Sequence, residues 1–178
     1  MVLLFEDADD EQIAFALLSL GIARGRLERP IEAITPLDDL LRRFGESVRP
    51  ELQIWMASAL RNKGVALGML DRQVEEIAAY DEVLCRYGAS DSSALQERVA
   101  NAMFSLTCVH ARRSAVPECI AALLRWRERR GSLDREKIAS DTDFDGVRSH
   151  PDFVAFLSEN GCPPSPPQPN AHSVAKKP

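Results

Sequence analysis

The residues best placed to do chemistry lie late in the chain, where Asp141, Asp143, Asp145, Gly146 and Asp152 satisfy the pattern D-x-D-x-D-G-x5-D. Alternating carboxylates can surround a hard cation, and this spacing is close to the calcium loop of an EF-hand. Three features oppose that reading. Position 12 is Asp152, shorter in reach than the usual bidentate glutamate; Arg148 stands where such a loop wants an apolar residue; and Pro151 adjoins the last ligand. A structural reading of the same stretch competes with it. Phe144, Val147, Phe153, Phe156 and Leu157 would form an apolar lid, with Pro151 opening a final helix. The lid accounts for the spacing without a metal and is preferred; Ca2+ binding over 141–152 is the alternative.

The remaining candidates form no constellation. His110, His150 and His172 are scattered over a helix, a turn and the tail. Cys85, Cys108, Cys119 and Cys162 show no C-x-x-C pair and no metal-ligand spacing, so they read as free thiols of a reducing compartment. Cys108 and His110 are two apart on a helix and do not face each other. G-x-S-x-G, P-loop and G-x-G-x-x-G are absent. The expectation is a chain with no catalytic residue, no cofactor and no metal. The basic run Arg125-Trp-Arg-Glu-Arg-Arg130, with Arg112 and Arg113, reads as a solvated face, with an acidic partner or RNA as the alternative; Trp126 falls on an apolar position and is expected in the core.

Chain-wide bounds fit a binding protein better than a nucleic-acid protein. The chain has 178 residues, 45% hydrophobic and 28% charged, with a net charge of −5, which argues against a surface built to hold nucleic acid or anionic lipid. Met1-Val-Leu-Leu-Phe5 runs directly into Glu6-Asp-Ala-Asp-Asp-Glu11, with no basic start and too few apolar residues for a signal or a span. A cytoplasmic location is expected.

The elements that would position any site repeat themselves. Gly21-Ile-Ala-Arg-Gly25-Arg-Leu-Glu-Arg29 lies over Gly64-Val-Ala-Leu-Gly68-Met-Leu-Asp-Arg72 at an offset of 43 residues. The same offset superposes Arg43-Phe44-Gly45, Arg86-Tyr87-Gly88 and Arg129-Arg130-Gly131, and stacks Ile34, Ile77 and Ile120. Such a period signals stacked helical pairs, each unable to bury its apolar face alone. Within a unit, Val74, Ile77, Tyr80, Leu84 and Tyr87 recur at helical steps. Gly45, Gly88 and Gly131 sit where a left-handed C-cap favours glycine, and Pro30 and Pro117 stand at helix starts. The pattern predicts helices over 9–26, 30–44, 51–69, 73–87, 94–112 and 116–130, and no strand.

These units resemble tetratricopeptide repeats. Leu60, Gly64 and Leu67 take the large, small and large places of a first helix and Tyr80 the aromatic place of the second; Leu17, Gly21, Ala33 and Leu37, then Met103, Thr107, Cys119 and Leu123, are their counterparts. Departures are Glu76 in a small place, Arg24 and His110 in large ones, no closing proline, and a period above the usual ~34, within the ~40–47 of HEAT and armadillo arrays. The ending Asp-x-Asp-Phe-Asp…Arg…Pro-x-Phe…Leu resembles the C-terminal cap of many bacterial tetratricopeptide proteins.

The resemblance implies an all-α, right-handed superhelical stack of three hairpins over 8–131 (8–50, 51–93 and 94–131), capping helices over 132–160, and a Pro-rich disordered tail over 161–178. It also implies a non-enzymatic adaptor or scaffold that binds a peptide or partner helix on its concave face. Carried onto this register, the lining is Phe15, Leu18 and Ile22, then Ser58, Arg61, Asn62 and Val65, then Asn101, Phe104 and Cys108. The carboxylate clamp that some members use keeps only Asn62 here; Leu18, Ile22, Asn101 and Ser105 break it. The apolar start could be covered by Met1–Phe5, could mark a fragment of a longer array, or could serve self-association as an oligomerising or regulatory subunit.

Overall fold

The chain forms a two-layer array of helices. A computed structural model describes the backbone of residues 3–160 and side chains from residue 10; the Pro-rich stretch with Cys162 and His172 lies outside the described residues. In order run α1 (Leu3–Arg26), α2 (Pro30–Phe44), α3 (Pro50–Met69), α4 (Gln73–Tyr87), α5 (Ser93–Arg112), α6 (Val116–Arg130), α7 (Arg135–Ser140), a 3-10 turn (Thr142–Phe144) and α8 (Pro151–Glu159). No strand occurs among the described residues, and none of their helices is long and apolar enough to cross a membrane.

α1, α3 and α5 each pack on the even helix that follows, and α3 also packs on α1 and on α5 to form an inner layer. α2 bridges α1 and α3, and α4 bridges α3 and α5. One core runs through α1 to α5 around Leu37, Leu40, Met56, Leu60, Tyr80 and Val83. A second joins α5 and α6 to the ending through Phe104, Trp126, Ile138, Phe144 and Phe153. All five lid residues are buried, and so is Trp126.

The 43-residue offset reappears in backbone geometry. Glu28, Asp71 and Ser114 each adopt positive φ, at 55°, 58° and 53°. In each turn the next residue's N–H reaches back five residues: Arg29 to the Arg24 carbonyl, Arg72 to Leu67, Ala115 to His110, all at 3.0 Å. These are Schellman closures, which satisfy the last carbonyls of α1, α3 and α5. The left-handed residue is therefore Glu, Asp or Ser, at the turn within each pair.

Glycine at the second helix ends has a different reason from the one expected. Gly131 is left-handed, with φ of 81°, but Gly45 and Gly88 are right-handed, at −56° and −59°. A Cβ there would sit 2.5 Å from the Leu41 carbonyl oxygen or 2.4 Å from that of Leu84, so the requirement is space. Their carbonyls are taken by the next repeat: Arg86 Nη1 donates to Gly45 at 3.0 Å and Arg129 Nη2 to Gly88 at 2.6 Å. The Arg-x-Gly triplet is thus a stitch between successive units.

Two other departures from the repeat pattern have local causes. Pro36 lies inside α2 and cannot donate to the Glu32 carbonyl one turn back; Arg24 Nη1 donates to that carbonyl instead, at 3.0 Å. Arg24 therefore replaces the leucine seen at Leu67. The first helix also starts at Leu3 rather than at 9. An acidic run is favourable at the positive end of a helix dipole, so it extends the helix instead of preceding it. Leu3–Phe5 then lie about 15 Å along the axis from Phe15, so their backbone does not fold back over it.

Candidate functional site

Gly64 sets how closely the inner and outer layers approach. A Cβ there would meet the Tyr80 ring at 2.4 Å, and at Gly21 the Leu37 side chain at 2.6 Å. This close seating turns one stripe of α1, α3 and α5 toward a shared groove of about 570 Å³. Phe15, Leu18 and Ile22 line it from α1, Ser58, Arg61, Asn62 and Val65 from α3, and Asn101 from α5. Phe104 and Cys108 line a second cavity of about 410 Å³, which shares Arg61 and Val65 with the first.

The predicted lining is not equally accessible. Phe15 is 56% exposed and stands edge-on to Trp55, ring centroids 5.7 Å apart. Leu18, by contrast, belongs to the core. Phe104 and Cys108 are each 5% exposed, because Phe104 packs against Trp126 at 5.1 Å and Phe144 at 6.0 Å. These three are floor and wall rather than contact residues. The cap takes the apolar surface that an open-ended third repeat would have offered.

Sequence reasoning missed Trp55, Met69, Arg26 and Arg98, which also line the groove. Trp55 and Arg98 stand three residues before Ser58 and Asn101, in one repeat register with Gln12. Extending each predicted stripe by one turn in either direction would have found all four, since positions three and four apart share a helix face.

A polar cluster fills the second cavity. Glu76 is 2% exposed where the other repeats place Ala33 and Cys119. Its carboxylate rests on Gly68, where a Cβ would come within 2.6 Å of it. Arg112 Nη2 donates to Glu76 Oε1 at 2.7 Å and the Tyr80 hydroxyl does so at 3.3 Å, while Oε2 has no hydrogen-bond partner among the described residues. The other arm of Arg112 donates to Asp143 Oδ2 at 2.9 Å. Lys137 Nζ sits 3.9 Å from the Phe104 ring centroid, a cation–π seat.

Burial holds the thiols and the phenol of this region in their neutral forms. Burial, reinforced by the Asp141 and Asp143 carboxylates, pushes the Cys108 thiol far above its ordinary value, and burial pushes Cys119 up to about 12. Neither is a thiolate nucleophile near neutrality. Burial, with the Glu76 carboxylate, likewise raises the Tyr80 phenol, and burial holds the His110 imidazole below its usual value.

Cys108 Sγ and one oxygen each of Asp141 and Asp143 lie within 4.8 Å of one another, but these groups are already committed. The thiol donates to Asp141 Oδ2 at 3.8 Å, Asp141 Oδ1 accepts the Asp143 N–H at 3.0 Å, and a guanidinium holds Asp143. The rest of the calcium-like pattern is spent on the turn. Arg148 donates to the carbonyls of Ala139 and Asp141 at 2.8 and 2.9 Å and to the Asp145 carboxylate at 3.2 Å. Its guanidinium sits among the oxygens a cation would need. Exposed Asp152 is the second residue of α8, and its N–H donates to His150 Nδ1 at 3.3 Å. Among the described residues, Asp145 and Asp152 join no such cluster.

Comparison of the chain with models of known families, with curated proteins and with solved structures finds no match.

Proposed function

We propose that this chain is a tetratricopeptide-type interaction module that binds a segment of another protein along α1, α3 and α5 and catalyses no reaction itself. The stack would be a right-handed superhelix with this groove on its concave side, in the cytoplasm. The observation that carries the reading is the groove itself: one helix from each of three successive pairs contributes to it, and it presents Phe15 to solvent beside the half-buried Trp55. Aromatic anchors in a preformed groove are how such surfaces gain affinity. A photo-crosslinking residue at Val65, in the groove, is expected to give discrete adducts with another protein in cells. The same residue at Val74, exposed on α4 outside the groove, is expected to give none. Equal adducts at both positions would overturn the reading.

A second reading, self-association through the N-terminal end, is favoured by one observation. Ile13 and Leu20 are exposed on one stripe of α1 with the half-buried Leu17, and exposed Leu27 follows in the turn. Met56 and Leu60, the counterparts of Ile13 and Leu17 in the next unit, are covered. Light scattering is expected to give a dimer that Ile13→Glu with Leu20→Glu converts to monomer; a wild-type monomer at high micromolar concentration would rule it out.

A further inference from the structure

The groove's electrostatics run opposite to the chain's. The protein carries 27 acidic against 22 basic residues, yet among the described residues no Asp or Glu lines this cavity, while Arg26, Arg61 and Arg98 do. Elsewhere arginines are held by carboxylates, as with Arg29, Arg43, Arg72 and Arg148. Arg61 and Arg98 form no ion pair among the described residues, and the Nε of each is buried without a hydrogen-bond partner. A guanidinium that no carboxylate of its own chain holds can take one up in a planar, charge-assisted pair.

We infer that the occupant of this groove is an acidic peptide segment that presents two or more carboxylates to Arg61 and Arg98 beside an aromatic or leucine side chain seated on Phe15 and Trp55. The inference rests on the groove reading above and narrows it to one partner chemistry. The arginines stand on α3 and α5, and two carboxylates would give each its own bidentate partner; Arg26 at the end of α1 adds to the field. Apolar groups beside them, Ile22, Val65 and Met69, suit side chains rather than a sugar–phosphate chain. The net charge of −5 opposes a polyanion as long-range partner but not a short segment steered to a local basic groove. Arginine rather than lysine at both places suits bidentate capture of carboxylate.

The test is a random 12-residue peptide library displayed on phage and panned against the full chain, with selected peptides synthesised, labelled and titrated by fluorescence anisotropy. Enriched peptides are expected to carry at least two Asp or Glu next to Phe, Trp or Leu. Their affinity is expected to fall at least tenfold in Arg61→Ala with Arg98→Ala, and to stay within twofold in Arg113→Ala with Arg125→Ala, exposed arginines outside the groove. Circular dichroism checks each fold, and Arg61→Lys with Arg98→Lys, which keeps charge but loses the planar fork, is expected to bind with intermediate affinity. Acid-rich peptides indifferent to both groove variants would overturn the inference. Selected peptides that lack acids but lose binding in Trp55→Ala would overturn it while leaving the groove reading intact. Peptides indifferent to Trp55→Ala, or no enrichment at all, would sink both. Tighter, Arg61-dependent binding of a 12-nucleotide oligo(U) RNA would replace the peptide by RNA.

Discussion

Replacing Arg112 with alanine is expected to destabilise the chain by about 2–4 kcal/mol, although Arg112 itself is 37% exposed. The cost lies with its partner. Glu76 has a side chain only 3% exposed, Arg112 supplies its closest hydrogen bond, and Oε2 is already unsatisfied. Without the guanidinium a buried carboxylate keeps only the Tyr80 hydroxyl. The value stays at the lower end of the range for breaking buried pairs because water can enter where Arg112 meets solvent. Glu76→Ala is expected to cost less, since it removes the charge and leaves Arg112 with Asp143. The double variant is expected to recover part of the Arg112→Ala loss, with a coupling of about 1–3 kcal/mol. Ala33 and Cys119, buried at the same repeat place, indicate that a small side chain fits there. Urea denaturation of the four proteins completes the cycle; an Arg112→Ala cost below about 1 kcal/mol, inside the range of surface pairs, would mean that Glu76 does not depend on it.

The same ion pair marks the boundary of what was legible in the sequence. The helices were legible because their apolar residues recur at 3.6-residue spacing and their ends carry proline or a repeated turn. The two layers followed from the 43-residue offset. The cap residues could be named because five apolar side chains near the end had no other face to cover. Glu76 was visible only as a misfit, a charge in a small residue's place. Its explanation needed Arg112, 36 residues on, and Asp143 beyond the last repeat. Arg24 is similar: it looks like a lapse in the pattern until the carbonyl freed by Pro36 is placed beside it. Such partners are set by three-dimensional register, which a one-dimensional period does not encode.

For the groove, the pattern located the wall but not the depth. The inward stripe of α5 holds Asn101, Phe104 and Cys108 equally by spacing, yet only Asn101 lines the large groove. The cap decides this by covering the other two, and its closeness to α5 is a tertiary fact. The calcium-like spacing misleads for a related reason. Alternating carboxylates fit a cation loop and equally fit a turn that needs an acceptor for its own N–H groups and for an arginine. Arg148, noted as wrong for the first, is the centre of the second.

The cap's hold on the last repeat makes Phe144 the other position of large effect. Phe144 is 0% exposed, with ring centroids 6.0 Å from both Phe104 and Phe153, so it links α5 to α8 through one side chain. Phe144→Ala is expected to cost about 3–5 kcal/mol, the range for emptying a buried aromatic site, and to lower Tm by roughly 10 °C. Because each unit of a stacked array leans only on its neighbours, the loss is expected to fall first on the contact between the cap and α5–α6. Trp126, buried beside Phe104, reports on that contact once Trp55 is changed to Phe. In this background the Phe144→Ala protein is expected to show a red shift of Trp126 emission at lower urea than its loss of helical circular dichroism. The parent is expected to show the two together. Uncovering Phe104 and Trp126 would also present an apolar patch, so the variant is expected to bind a hydrophobic dye and self-associate as the cap opens. Coincident transitions in Phe144→Ala, with a cost below about 1 kcal/mol, would show that the ending only lies against the stack without closing it.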